Sequence, residues 1–231
     1  MSPTWLVVLS WLSLGVGFLS AAAIVYDIHG LGYRQKMPVM EVVWPVTALY
    51  AGPLANLGYR RFGRPKTRQW LAEHDLEQHP DQPGWATIAV GVSHCGAGCT
   101  LGDIIAEFAV FFLGVELAGE VLFGEYVGDY VLAVGLGLLF QYFAIAPMRD
   151  LGLRDGLVAA AKADILSLTT FEVGLFGWMA LTSLVFFPAP HHIHPDSPVY
   201  WFMMQIGMVL GFLTAFPVNA WLIRRGIKEA M

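Results

Sequence analysis

The sequence is poor in charge. Lys, Arg, Asp and Glu together make up 13% of its 231 residues, whereas hydrophobic residues make up 56%. Soluble domains carry about 25% charged residues, so this composition is typical of a protein that crosses a membrane several times. The net charge of -5 comes with no basic stripe that could neutralise phosphates, which argues for the lipid bilayer and against nucleic acid as a partner.

Cysteine is scarce as well. The only two, Cys95 and Cys99, lie in one apolar segment, which excludes the disulfide framework of a small secreted protein. The chain also lacks an internal repeat and a Ser- or Gly-rich linker. These absences predict a single domain over residues 1–231. They leave a homo-oligomer open.

Long apolar stretches predict an all-α integral membrane protein, a bundle of six transmembrane helices. A helix needs about 20 residues to cross about 30 Å of hydrocarbon. The six stretches cover residues 3–26, 37–58, 85–119, 126–148, 156–187 and 199–223. The first lacks a basic n-region, so we interpret it as a retained anchor rather than a cleaved signal peptide.

The distribution of Lys and Arg predicts the orientation of the bundle. Basic residues concentrate in segments 60–68, 149–162 and 224–228, which are expected on the cytoplasmic side. Six spans then put both termini in the cytoplasm, with an interfacial loop at about 59–84 and an outer His-rich loop at about 188–198. Arg34 and Lys36 would lie on the outer side and do not fit this scheme.

The most informative motif lies in the third stretch. Cys95, Cys99, Asp103 and Glu107 recur at every fourth residue, and on an α-helix steps of four residues drift by only about 40°, so the four side chains share one stripe. Polar groups at membrane depth are costly unless they are paired. The stripe is therefore a candidate for binding a cation or relaying a proton.

A packing role is the alternative for this helix. Gly98, Gly102 and Ala106 form a row of small residues that lets two helices approach closely, and cysteine is itself a small apolar filler. A thiol redox role is weaker, because Cys95 and Cys99 have the spacing C-x-x-x-C and not C-x-x-C.

His94 is a further candidate ligand with a geometric difficulty. On a regular helix it lies about 100° from Cys95 and about 140° from Cys99. The three side chains converge on one ion only if the helix is distorted, and Gly96 and Gly98 would permit a distortion.

Other candidate ligands extend this set. Methionine thioethers accept soft ions, His-rich loops capture metals, and carboxylates supply counter-charge or relay protons. Each type also has a structural explanation. Methionines are common apolar filler, a His-rich loop is also typical of a solvated turn, and carboxylates also form interhelical pairs. The candidates are Met37, Met40, Met203, Met204 and Met208 for metal transfer, His191, His192 and His194 for capture, and Glu116, Glu120, Lys162, Asp164 and Glu172 for the relay.

Four segments, SHCGAGCTLGD at 93–103, KAD at 162–164, FEVG at 171–174 and WFMMQIGM at 201–208, resemble a bacterial membrane family known as domain of unknown function number four-three-nine-six. The resemblance covers most of the chain from Met37 onward. It implies a bacterial protein, which six apolar spans would place in the inner (plasma) membrane. It implies no activity.

The sequence thus predicts a membrane protein that binds and translocates a transition metal ion, with copper favoured over zinc because thiols, thioethers and imidazoles prefer soft ions. Two alternatives stay open. One is a membrane oxidoreductase or metal-dependent enzyme that uses the same Cys, His and Glu side chains. The other is a structural membrane subunit with conventional helix packing.

Overall fold

The computed structural model describes residues 2–115, 117, 121–149 and 152–228, and its architecture is all-helical. The helices are α1 (Thr4–Val25), α2 (Met40–Ala51), α3 (Pro53–Gly58), α4 (Arg68–Glu73), α5 (Gly84–Leu113), α6 (Val121–Arg149), α7 (Leu153–Leu181) and α8 (Pro198–Arg224). Single π-helical turns at Tyr26–Gly30, Tyr59–Gly63 and Thr182–Phe186 extend α1, α3 and α7, and a 3-10 turn follows at Arg64–Lys66.

Within the described ranges, five helical segments are long and apolar enough to cross a membrane. They are Thr4–Gly30, Gly84–Leu113, Leu122–Ala144, Leu153–Phe186 and Pro198–Arg224. They correspond to the first and the third to sixth predicted stretches, so the prediction of a multi-pass helical membrane protein is confirmed at this level.

The second predicted stretch is not a single long helix. It divides into α2 and α3, because Gly52 takes a backbone φ of +53° that favours glycine, and Pro53 then starts α3. With 12 residues, α2 is about 18 Å long, well short of about 30 Å of hydrocarbon. Composition could not reveal this turn, since both arms of the hairpin are apolar.

The two ends of the α2–α3 hairpin lie together. Met37 and Met40, where the hairpin begins, line one small pocket with Phe62 and Lys66, which follow its end. The chain therefore leaves the hairpin on the side where it entered.

Side-chain contacts hold this junction. The Tyr59 hydroxyl donates to Asp27 at 2.7 Å, and the Tyr33 hydroxyl donates to Glu73 at 2.7 Å. The Arg64 guanidinium lies 3.7 Å from the centre of the Tyr33 ring, a cation–π contact. The segments before α2 and after α3 thus form one polar cap on the bundle.

The segment predicted as a loop at about 59–84 contains a short helix, α4. Thr67 caps it, because its Oγ1 accepts a hydrogen bond from the Trp70 amide at 3.3 Å. The Trp70 ring stacks on His74 with 3.8 Å between centroids. Pro83 then precedes the first residue of α5.

Helices α5 and α6 pack at backbone contact. A Cβ atom on Gly98 would lie 2.6 Å from the Cα of Gly137, and one on Gly102 would overlap the backbone of Ala133. The row of small residues predicted from the sequence therefore packs against α6, while the cysteine stripe lies on another side of α5. Packing and a polar stripe coexist on this helix.

Candidate functional site

The four side chains of the motif on α5 are all buried. Cys95, Cys99 and Asp103 have no exposed surface and Glu107 is 2% exposed. Counted along the helix, Cys95 and Glu107 are about 18 Å apart. The stripe therefore forms a buried polar path through the interior rather than a face toward lipid.

At the middle of this path, the Cys99 thiol lies beside the Glu172 carboxylate of α7. Asp103 is close enough to Glu172 for their charges to interact. Neither carboxylate has a hydrogen-bond partner on either oxygen among the described residues. Buried polar atoms are nearly always paired, so this pair of acids is exceptional.

A second acidic group lies one turn further along α5. Glu107 lies beside Asp129 of α6 and Tyr200 of α8, and Glu125 contributes a nearby charge. The Tyr200 hydroxyl, one oxygen of Glu107 and one of Asp129 have no partner in the described part of the chain. These groups approach one another from three helices.

Sequence reasoning missed Glu125, Asp129 and Tyr200. The first two carried a usable signal, because carboxylates four residues apart at the edge of a predicted span repeat the pattern that drew attention to α5. Tyr200 gave none, since a tyrosine at the start of a span is typical of the membrane interface.

At the other end of the path, Cys95 contacts a hydrogen-bonded chain of polar groups. The Cys95 sulfur lies 2.9 Å from the Ser167 hydroxyl, which accepts a hydrogen bond from the Asn219 amide at 2.6 Å. Lys228, beyond the end of α8, donates to Asp164 at 2.5 Å. Both members of this ion pair are buried.

We call this set the polar column, formed by Cys95, Cys99, Asp103, Glu107, Asp129 and Glu172. Its end near Lys228, Arg224 and Arg225 is the basic end, and its end near Tyr200 and the His-rich loop is the histidine end. Adjacent members on α5 are about 6 Å apart along the axis, a step that a proton or a cation can make with small side-chain movements.

Lys228 is the one lysine or arginine that is buried within the described residues. Burial alone would lower the pKa of Lys228, but the nearby Asp164 carboxylate and Cys95 thiol raise it above its ordinary value. The side chain is therefore an ammonium ion at neutral pH and neutralises Asp164.

His94 does not join the two cysteines. The helix α5 continues as α-helix through Gly96 and Gly98, so the distortion that could have turned His94 toward Cys95 and Cys99 is missing. The ring is buried 6.4 Å from Phe140, measured between centroids, and neither nitrogen has a partner in the described ranges.

The methionine candidates separate into two groups. Met203, Met204 and Met208 pack in the same buried cluster as Cys95 and Cys99. Met37 and Met40 pack in the other cluster, around Trp44 and Ile24, at the base of the hairpin. The structure therefore does not bring together the five methionines that were predicted as one set for metal transfer.

The His-rich loop lies at the start of α8. His191, His192 and His194 are exposed and line one open pocket together with Asp196. Among the described residues, no three His, Cys, Asp or Glu side chains converge closely enough to hold a metal ion. Glu116 and Glu120, predicted for the relay, lie outside the described residues.

Of the other predicted relay residues, Glu172 is a buried member of the column and Asp164 is buried at its basic end, whereas Lys162 is exposed on α7. The lysine that pairs with Asp164 is Lys228 instead. Sequence position could not indicate this, because Lys228 is 64 residues from Asp164 and reaches it only through the fold.

The matched region in a comparison with protein families covers this whole site. Residues 84–228, from the start of α5 through Lys228, match the model described as a domain of unknown function, DUF4396. The chain belongs to the DUF4396 family. This confirms the resemblance seen in the sequence. Neither a curated protein nor a solved structure matches the chain.

Proposed function

We propose that this DUF4396 protein moves a cation across the membrane along the polar column, with column carboxylates that take up and release protons as the ion passes. The observation that carries the proposal is the line of buried acids from Glu172 and Asp103 to Glu107 and Asp129, each with at least one oxygen that has no partner among the described residues. Such groups are costly to bury, and passage of a cation or proton explains why they lie at the helix interface.

A transition metal ion is the proposed cargo. The buried cluster that contains Cys95 and Cys99 also contains three thioethers, Met203, Met204 and Met208. These sulfurs support copper, which the sequence favours, whereas the carboxylates beside Cys99 suit zinc or manganese better. The proposed binding position lies at Cys99 and Glu172, where thiol and carboxylate meet.

Elemental analysis of the purified protein tests the cargo. We expect the wild-type chain to retain a transition metal ion and the Cys95→Ala/Cys99→Ala variant to retain about tenfold less. The control variant is Met37→Leu/Met40→Leu, which removes sulfur from the other cluster and should leave the metal content unchanged. Equal metal content in the wild type and the cysteine variant would refute a thiol site, and the metal found distinguishes copper from zinc.

A five-span topology accompanies this proposal. If the α2–α3 hairpin enters and leaves on one side, Arg34 and Lys36 share a side with the basic segment 60–68, and the conflict with the positive-inside rule disappears. The start of α1 and the end of α8 then lie on opposite sides of the membrane. We propose that the basic segments face the cytoplasm of a bacterial inner membrane.

Labelling of single cysteines in sealed vesicles tests this topology. In a Cys95→Ala/Cys99→Ala background, Lys36→Cys and Arg61→Cys should react with an impermeant maleimide from one side, and His192→Cys from the other. All three native residues are exposed. Six spans make the opposite prediction for position 36, namely labelling from the same side as position 192.

A further inference from the structure

The buried ion pair at the basic end has an unusual origin. Lys228 follows α8 by four residues, and Gly226, with a φ of +68°, turns the chain back toward the bundle. The amide of Ile227 closes this turn by donating to the Leu222 carbonyl at 3.0 Å. The turn delivers the ammonium group to Asp164, so that Lys228 is only 2% exposed.

The groups at the basic end come from three elements. Asp164 of α7 accepts a hydrogen bond from the ammonium, and Cys95 of α5 lies within reach of it. Ser167 of α7 contacts Cys95, and the amide of Asn219 of α8 donates to Ser167. One oxygen of Asp164 and the amide oxygen of Asn219 have no hydrogen-bond partner among the described residues. Both side chains are fully buried. Two buried oxygen acceptors are thus left over at the basic end, one of them on the carboxylate that accepts from Lys228.

The charges at this position balance one to one. Asp164 contributes one negative charge and Lys228 one positive charge, while Ser167, Asn219 and the Cys95 thiol are uncharged groups. His94 of α5 is close enough to Lys228 to interact with its charge. A single positive charge is therefore what this interior position requires, because an unpaired buried carboxylate is strongly unfavourable.

We infer that Asp164, Ser167 and Asn219 form a binding site for a monovalent alkali cation, which Lys228 fills in this conformation. The three side chains offer the oxygen ligands that hard cations prefer, and a single charge preserves neutrality. The inference rests on the proposed function, because it adds a cation-binding site at the basic end of the polar column. Withdrawal of the turn at Gly226 would open the site to an ion.

Thermal unfolding in detergent tests the site without any transport assay. At constant ionic strength, exchanging choline chloride for sodium or potassium chloride should raise the melting temperature of Lys228→Ala by about 5 °C, through binding to the folded state only. The wild type and Lys162→Ala, which removes an exposed lysine of the same helix α7, should not respond. Lys228→Ala/Asp164→Asn should not respond either.

Two outcomes would overturn the inference. One is a folded Lys228→Ala protein that melts at the same temperature in sodium, potassium and choline. The other is a Lys228→Ala protein that fails to fold in either alkali salt while Lys228→Ala/Asp164→Asn folds, which would show that no inorganic cation replaces the ammonium. Neither outcome depends on Asp103 or Glu107. Either outcome would therefore refute the alkali-cation site without refuting the proposed function, which the Asp103 and Glu107 variants test.

Discussion

Replacing Asp103 by Asn should stabilise the protein and stop the cation transport that we propose for it. The amide costs less to bury than an unpartnered carboxylate, so the melting temperature in detergent should rise by about 3 °C. The amide cannot accept and release a proton, so proton-coupled flux in proteoliposomes should fall by about 100-fold. A gain in stability with a loss of activity marks a residue kept for function.

Glu77→Gln is the matched control, because Glu77 is an exposed carboxylate in the loop before α5 and should change neither measurement. Glu107→Gln should behave as Asp103→Asn does. If Asp103→Asn retains wild-type flux, the polar column is not the path. Loss of folded Asp103→Asn protein would equally contradict the argument, because it would show that the carboxyl group has a structural role.

Replacing Gly98 by Leu should separate α5 from α6. Even a Cβ atom at this position would lie 2.6 Å from the Cα of Gly137, and backbone cannot move aside as a flexible side chain can. Overpacking of this kind should cost about 3 kcal/mol or more, which lowers the melting temperature by about 6–12 °C in a chain of this size. The measurement is thermal unfolding with size-exclusion chromatography in detergent.

Gly135→Leu provides the comparison on α6. A Cβ atom at Gly135 would have no neighbour within 4 Å, and Gly135 lies on the exposed outer surface of the bundle. The same substitution should therefore be tolerated at Gly135. Equal melting temperatures for the two leucine variants would mean that α5 and α6 do not depend on close backbone packing.

The polar column shows how much of a buried site the local sequence can predict. The spacing of Cys95, Cys99, Asp103 and Glu107 indicated one buried stripe, because helical periodicity fixes which residues share a face. It could not indicate that Asp129 and Tyr200 complete the acidic group at Glu107. Those contacts depend on the relative rotation of three helices, which packing determines.

The division of the second predicted stretch into two helices has a similar cause. Hydropathy measures how apolar a segment is, and a hairpin of α2 and α3 is as apolar as one continuous helix. The turn at Gly52 and Pro53 divides it, but proline and glycine also occur inside transmembrane helices. The contact of Met37 with the region of Lys66 identifies the hairpin only after the chain has folded.

The amino-acid sequence by itself determined that this chain is a helical membrane protein and that thiols and carboxylates share one face of α5, because composition and helical period act through neighbouring residues. The tertiary structure alone decided which partners those groups meet. Lys228 neutralises Asp164 from 64 residues away, and the two ends of the α2–α3 hairpin come together. Contacts between distant segments depend on how whole helices pack, a property that no local pattern carries.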